Sequence, residues 1–112
     1  MRLPNLNRKL VLETPVPVPD GAGGFVETWN PLGEHWAEIR SGSGRESAGE
    51  LLTLSAVTAR IIVRAAPVGA QGRPKPEQRF REGTRVFPIA AVTEHDARGH
   101  YLVCYVREEA TA

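Results

Sequence analysis

The sequence predicts an all-β domain, a small barrel or sandwich of about six short strands carrying two long loops. Three observations point there. Residues 57–66 alternate Thr58, Arg60, Ile62 and Arg64 with Ala59, Ile61 and Val63, the period-2 pattern of a strand with two unlike faces. β-Branched residues at 57, 58, 61, 62 and 63 suit a pleated, half-buried surface better than a helix. The 11 Gly and 9 Pro fall between the apolar runs and punctuate them as turns.

Length and charge narrow the class. A chain of 112 residues predicts one domain. With 41% hydrophobic residues but only two Trp, two Tyr and three Phe, the core is aliphatic and small. A net charge of +1 gives no global case for nucleic-acid or membrane affinity. One cysteine excludes an internal disulfide, and no apolar run approaches the roughly 20 residues of a membrane span. The N-terminus lacks the apolar centre of a signal peptide, so export by that route is not expected.

Along the chain, residues 6–13 read as a first strand with Leu10 and Leu12 on one side. Residues 14–24 follow, with Pro15, Pro17 and Pro19 favouring an extended polyproline-like stretch and the Asp-Gly and Gly-Gly steps a turn. Residues 25–29 return as the second strand of a hairpin. Asn30-Pro-Leu-Gly reads as another turn, and 35–40 as a third strand. Residues 41–56 begin with a flexible Ser-Gly-Ser-Gly. A short helix over 45–55, supported by Ala48, Leu51, Leu52 and Ser55 and weakened by Gly49, fits as well as a loop. After the 57–66 strand, 67–83 reads as a structureless 17-residue excursion, of the kind that is functional more often than decorative. The last hairpin joins 84–93 to 100–107, with Pro88 at an edge or bulge. Flexible segments are expected at 1–5, 41–56, 67–83 and 108–112. Both internal excursions are expected to belong to partner surfaces.

Few residues point to chemistry. His35, His95 and His100 have no ligand spacing around them; His95 and His100 flank a turn, and solvated turn residues are a simpler account than a metal site. Cys104 alternates with Leu102 and Val106, which predicts a buried, inert thiol. Gly21-Ala-Gly-Gly is too short for a dinucleotide fingerprint. No catalytic motif appears, so neither an enzyme nor a cofactor is expected. Arg60 and Arg64 cannot be buried alone, so their strand face looks to solvent or a neighbour. Residues 73–85 hold Arg73, Lys75, Arg79, Arg81 and Arg85 against Glu77 and Glu82, a net of +3. That segment is either a solvated loop or a contact for phosphates or an acidic partner. Repeated around a pore, it would make a positive ring.

The order of these features resembles the head–tail joining (head-closure, or stopper) proteins of long-tailed bacteriophages and gene transfer agents. The resemblance runs through Leu6-Asn-Arg-Lys-Leu-Val-Leu-Glu, Gly23-Gly-Phe-Val-Glu-Thr-Trp and His35-Trp-Ala-Glu-Ile. It continues with a polar loop, Ala59-Arg-Ile-Ile-Val-Arg, Gly83-Thr-Arg-Val-Phe-Pro-Ile-Ala-Ala-Val and Arg98-Gly-His-Tyr-Leu. It covers residues 6–107, and its specificity lies in order and spacing. Two departures touch the sheet edge: the family usually has Tyr at Phe87 or Pro88, and an aromatic soon after Arg64.

The resemblance implies one head–tail joining β-barrel domain over 1–112, and a non-catalytic protein of the particle neck, assembled in the bacterial cytoplasm. It implies a ring of identical subunits, a hexamer favoured over a dodecamer, between the portal–adaptor protein and the tail terminator or tail tube. Packaged double-stranded DNA occupies the channel, and no membrane is involved. It assigns channel closure to the loop after the third strand. Here that means Ser41, Gly42, Ser43, Gly44, Arg45, Glu46, Leu51, Leu52 and Leu54. Arg60, Arg64, Arg73, Lys75, Arg79 and Arg81 are then the candidate partner or DNA contacts. The rival is a small barrel that binds nucleic acid on its own. It predicts strongly salt-dependent DNA binding by the monomer.

Overall fold

The computed structural model describes residues 3–42 and 58–109. Its strands are β1 (Arg8–Pro19), β2 (Phe25–Ser41), β3 (Ala59–Arg64), β4 (Arg79–Glu82), β5 (Arg85–Glu94) and β6 (Tyr101–Val106). Every pairing is antiparallel, in the order β1-β2-β3-β6-β5-β4, and β4 pairs back onto β1 to close a barrel. Alternation decides what goes inside. Leu10, Leu12, Ile61, Val63, Leu102 and Val106 point inward and are fully or almost fully buried, with Phe80 and Phe87 filling the centre. Each such side chain contributes roughly 1.5–3 kcal/mol of burial. Closure leaves the barrel no open strand edge of its own.

Among the described residues the strands number six, as the sequence predicts, but they are not the same six. Asn30-Pro-Leu-Gly does not turn the chain. Residues 25–41 form one continuous strand, and the register slips where Leu12 faces Gly33 and Glu13 faces Pro31. Gly33 supplies the φ of 133° that the irregularity needs, and the bypassed Leu32 packs against the core. Nor is 67–83 structureless. Its end is β4, which forms a tight hairpin with β5 through Gly83 and Thr84. Gly83, at φ 61°, occupies the first loop position, where a II′ turn calls for glycine. The rest of the segment is turned and tied: Gln78 is buried, and its backbone carbonyl accepts from the Ile89 amide at 2.9 Å. This excursion is therefore largely part of the protein's own fold, with Phe80 at its centre. Pro88 stands beside a register shift between Ile89 and Ala91, the bulge its missing N–H leads one to expect.

Candidate functional site

One end of the barrel runs on into an arm. Past Glu13, β1 has no partner but β2 among the described residues, because β4 meets β1 only at Val11, Leu12 and Glu13. Residues 14–19 and 25–30 thus form a two-stranded ribbon projecting about 20 Å at the usual rise per residue. Its tip is held by Asp20, whose Oδ1 accepts from the amides of Ala22 (2.8 Å) and Gly24 (3.1 Å). Those backbone hydrogen bonds hold the Asp20 carboxyl below its ordinary value. The ribbon exposes Val16, Val18, Phe25 and Val26, with Phe25 at 69%. The turn at 20–24 and the strand at 25–29 were legible, but 25–29 pairs with 15–19 and not with 6–13 as the sequence suggested, because the Pro-Val stretch is itself strand and Asn30-Pro-Leu-Gly does not end the pairing.

The arm is clamped at its root. Glu13, 5% exposed, accepts from Arg79 Nε at 2.7 Å and from Arg81 Nε at 2.9 Å. The Arg79 guanidinium also lies 3.9 Å from the ring centre of Trp29. Burial pushes the Glu13 carboxyl up, but the two guanidinium hydrogen bonds outweigh it and the net shift is downward. A second clamp joins the barrel's other termini: Arg8 pairs with Glu82, and Arg85 binds Glu108 through Nε (2.8 Å) and Nη2 (3.0 Å). Within 73–85, Arg79, Arg81 and Arg85 are thus matched to carboxylates from elsewhere in the chain. Arg73 donates Nη1 to the Ala66 carbonyl at 2.7 Å, and Lys75 is exposed. Glu13 and Glu108 thus bring two negative charges to the segment, but its own Glu82 is taken up by Arg8, so only part of the formal +3 is offset.

Arg60 and Arg64 lie on the outer face of β3, as their alternation predicts. Register sets Arg60 directly opposite Arg40 on β2 and Tyr105 on β6. Arg40, Arg60, Thr93 and Tyr105 line a cavity of about 190 Å³ floored by Ile62 and Val103. Arg40 is engaged by Glu38 at 2.5 Å. Arg64 is exposed over the Tyr101 ring, 5.8 Å from its centre. Sequence reasoning missed Arg40 and Tyr105 as members of this surface, since only strand register brings them to Arg60.

The profile of phage head completion proteins matches residues 1–109. The chain belongs to that family. A chain from the virion of a native gene transfer agent particle is 50% identical, with a TM-score of 0.74, over 98% of this chain and 100% of that one. A Shigella flexneri 2a protein, SF1141, shares the fold at 24% identity and TM-score 0.71, with both chains covered in full. No curated protein matches.

In this head completion protein, the loop residues singled out for channel closure fall mostly outside the described part: Ser43, Gly44, Arg45, Glu46, Leu51, Leu52 and Leu54, together with any helix over 45–55. Ser41 and Gly42 lie inside it. Ser41 pairs with Ala59, and the Gly42 amide donates to the Thr58 carbonyl at 2.9 Å. The segment between β2 and β3 therefore leaves and returns through one point on the barrel rim. Cys104 is buried among apolar neighbours, and burial pushes its thiol far up, as expected of an inert side chain. His35 lies on a strand, as the reading of 35–40 expects. It is half-buried edge-on to Phe80 at 5.9 Å, and burial lowers its pKa against a hydrogen bond with the Gly72 backbone. Among the described residues, no three His, Cys, Asp or Glu side chains converge as metal ligands would.

Proposed function

We infer that this protein completes the neck of a phage or gene transfer agent particle. It forms a ring below the portal–adaptor protein, closes the DNA channel after packaging, and offers the surface on which the tail docks. The observation that carries this is the family match over 1–109, supported by the 50% identical chain from a gene transfer agent virion. The geometry suits the task. A closed, well-packed barrel makes a rigid stave, and the segment between β2 and β3 springs from one hydrogen-bonded point on its rim. Ser41, Gly42, Ser43, Gly44, Arg45 and Glu46 begin the segment we assign to channel closure, and Leu51, Leu52 and Leu54 are its apolar residues, suited by chemistry to contact with the same loop of neighbouring subunits. Arg60, Arg64, Arg73 and Lys75 are the partner or DNA contacts, with Arg64 and Lys75 exposed and Arg60 and Arg73 partly buried. Arg79 and Arg81 serve through their clamp on Glu13 and reach a partner only at its margin. Free DNA binding by the monomer loses support, because part of the basic segment is matched by the chain's own carboxylates.

Negative-stain imaging of particles from cells lacking the gene tests the reading. Heads should lose DNA and carry no tails. Filled heads with tails attached would overturn it.

A further inference from the structure

The arm has two edges of opposite character. The Asp20 amide donates to the Gly24 carbonyl at 3.0 Å, which sets the parity of the ladder. Val16 and Val18 then turn their backbone groups toward β2, while Pro15, Pro17 and Pro19 face the free side of β1. That side presents no N–H to an incoming strand, a common defence against unwanted edge pairing. On β2 the same parity turns Val26 and Thr28 toward β1. The N–H and C=O groups of Phe25, Glu27 and Trp29 point outward. Among the described residues no strand covers them, since β3 joins β2 only from Ala37 onward.

Pairing between arms of identical subunits is disfavoured at either edge. Head-to-tail pairing needs the β1 side, which the prolines close. Twofold pairing of two β2 edges centred on this stretch sets Glu27 opposite Glu27, a destabilising like-charge pair. Residues 14–30 carry Asp20 and Glu27 and no Lys or Arg, and Phe25 and Val26 stand exposed beside the edge. We propose that the Phe25, Glu27 and Trp29 edge is a β-addition site for an extended segment of a different protein of the particle. That segment places a Lys or Arg opposite Glu27, with apolar residues on either side. The inference rests on the neck reading above and names the mode and chemistry of one contact within it.

Hydrogen exchange read by mass spectrometry, comparing the isolated full chain with purified particles, tests it. In particles, amide exchange over residues 25–29 should slow by on the order of tenfold or more. Equal exchange in both samples overturns the inference and leaves the neck reading standing. Absence of the chain from particles overturns both. Glu27→Pro removes an outward N–H without touching the arm's own ladder. The variant should melt with the wild type, yet its abundance in particles should fall on the order of tenfold; unchanged abundance overturns the site. Disulfide-linked dimers of Glu27→Cys in particles also overturn it, because they place a second copy on this edge.

Discussion

The barrel and the arm share two strands, β1 and β2, yet different forces hold them. In the barrel, Leu10 and Leu12 of β1 and Ala37 of β2 are fully buried. Apolar transfer there outweighs the ordering entropy. In the arm, Val16, Val18, Phe25 and Val26 stay exposed, and the ribbon depends on the Asp20 turn, its own ladder and the Glu13 clamp at its root. A two-stranded ribbon alone is marginal in water. The contrast teaches that stability is unevenly placed along one pair of strands: one end secures the fold, and the other leaves apolar surface exposed.

Four substitutions sharpen that contrast. The largest effect belongs to Phe80→Ala, which empties the centre of the barrel and should lower unfolding free energy by about 3–5 kcal/mol. Phe25→Ala in the arm should stay within about 0.5 kcal/mol. Paired denaturant titrations check the two, and a similar loss in both would erase the distinction.

Next comes Glu13→Gln, which strips the carboxylate from between Arg79 and Arg81. We expect a loss of about 2 kcal/mol, under the value for a wholly buried pair because both guanidiniums reach water. The same variant reports on pH. Folding holds Glu13 below its ordinary value of 4.5, since the guanidinium hydrogen bonds overcome the effect of burial. Glu82 is lowered as well, chiefly by its hydrogen bond from Arg8. A lowered carboxyl binds fewer protons in the folded than in the unfolded chain. Its contribution is therefore full above about pH 4.5 and disappears as pH falls through the folded value. Thermal melts of the wild type should decline on acidification below that point, and Glu13→Gln should decline less steeply.

Smallest is Asp20→Ala. Amide exchange at Ala22 and Gly24 should accelerate while the melting temperature stays put, because the tip is uncoupled from the core. A clear drop in melting temperature would mean that arm and barrel form one cooperative unit.

The fold class was legible because alternation over 57–66 and 100–107 and the Gly and Pro between runs act locally. β4 was not legible: Arg79, Phe80, Arg81 and Glu82 offer one apolar residue among four, too little for a period. The unbroken β2 was hidden because Asn-Pro-x-Gly favours reversal of the chain in isolation. Here, pairing with β1 turned it into a kink. Among the candidate site residues, the outward face of Arg60 and Arg64 was readable from parity. The engagement of Arg79 and Arg81 was not, since Glu13 lies 66 and 68 residues away.

From its order of residues alone, this chain determined an antiparallel β domain, which face of each regular strand is apolar, and an inert Cys104, because period and composition are properties of neighbours. Tertiary structure alone decided that β4 closes the sheet onto β1, that Glu13 takes up two arginines of the basic segment, and that the proline ribbon stands clear of the core with one edge open. Each of these depends on register between distant strands, which a charge or a proline acquires only when the barrel closes.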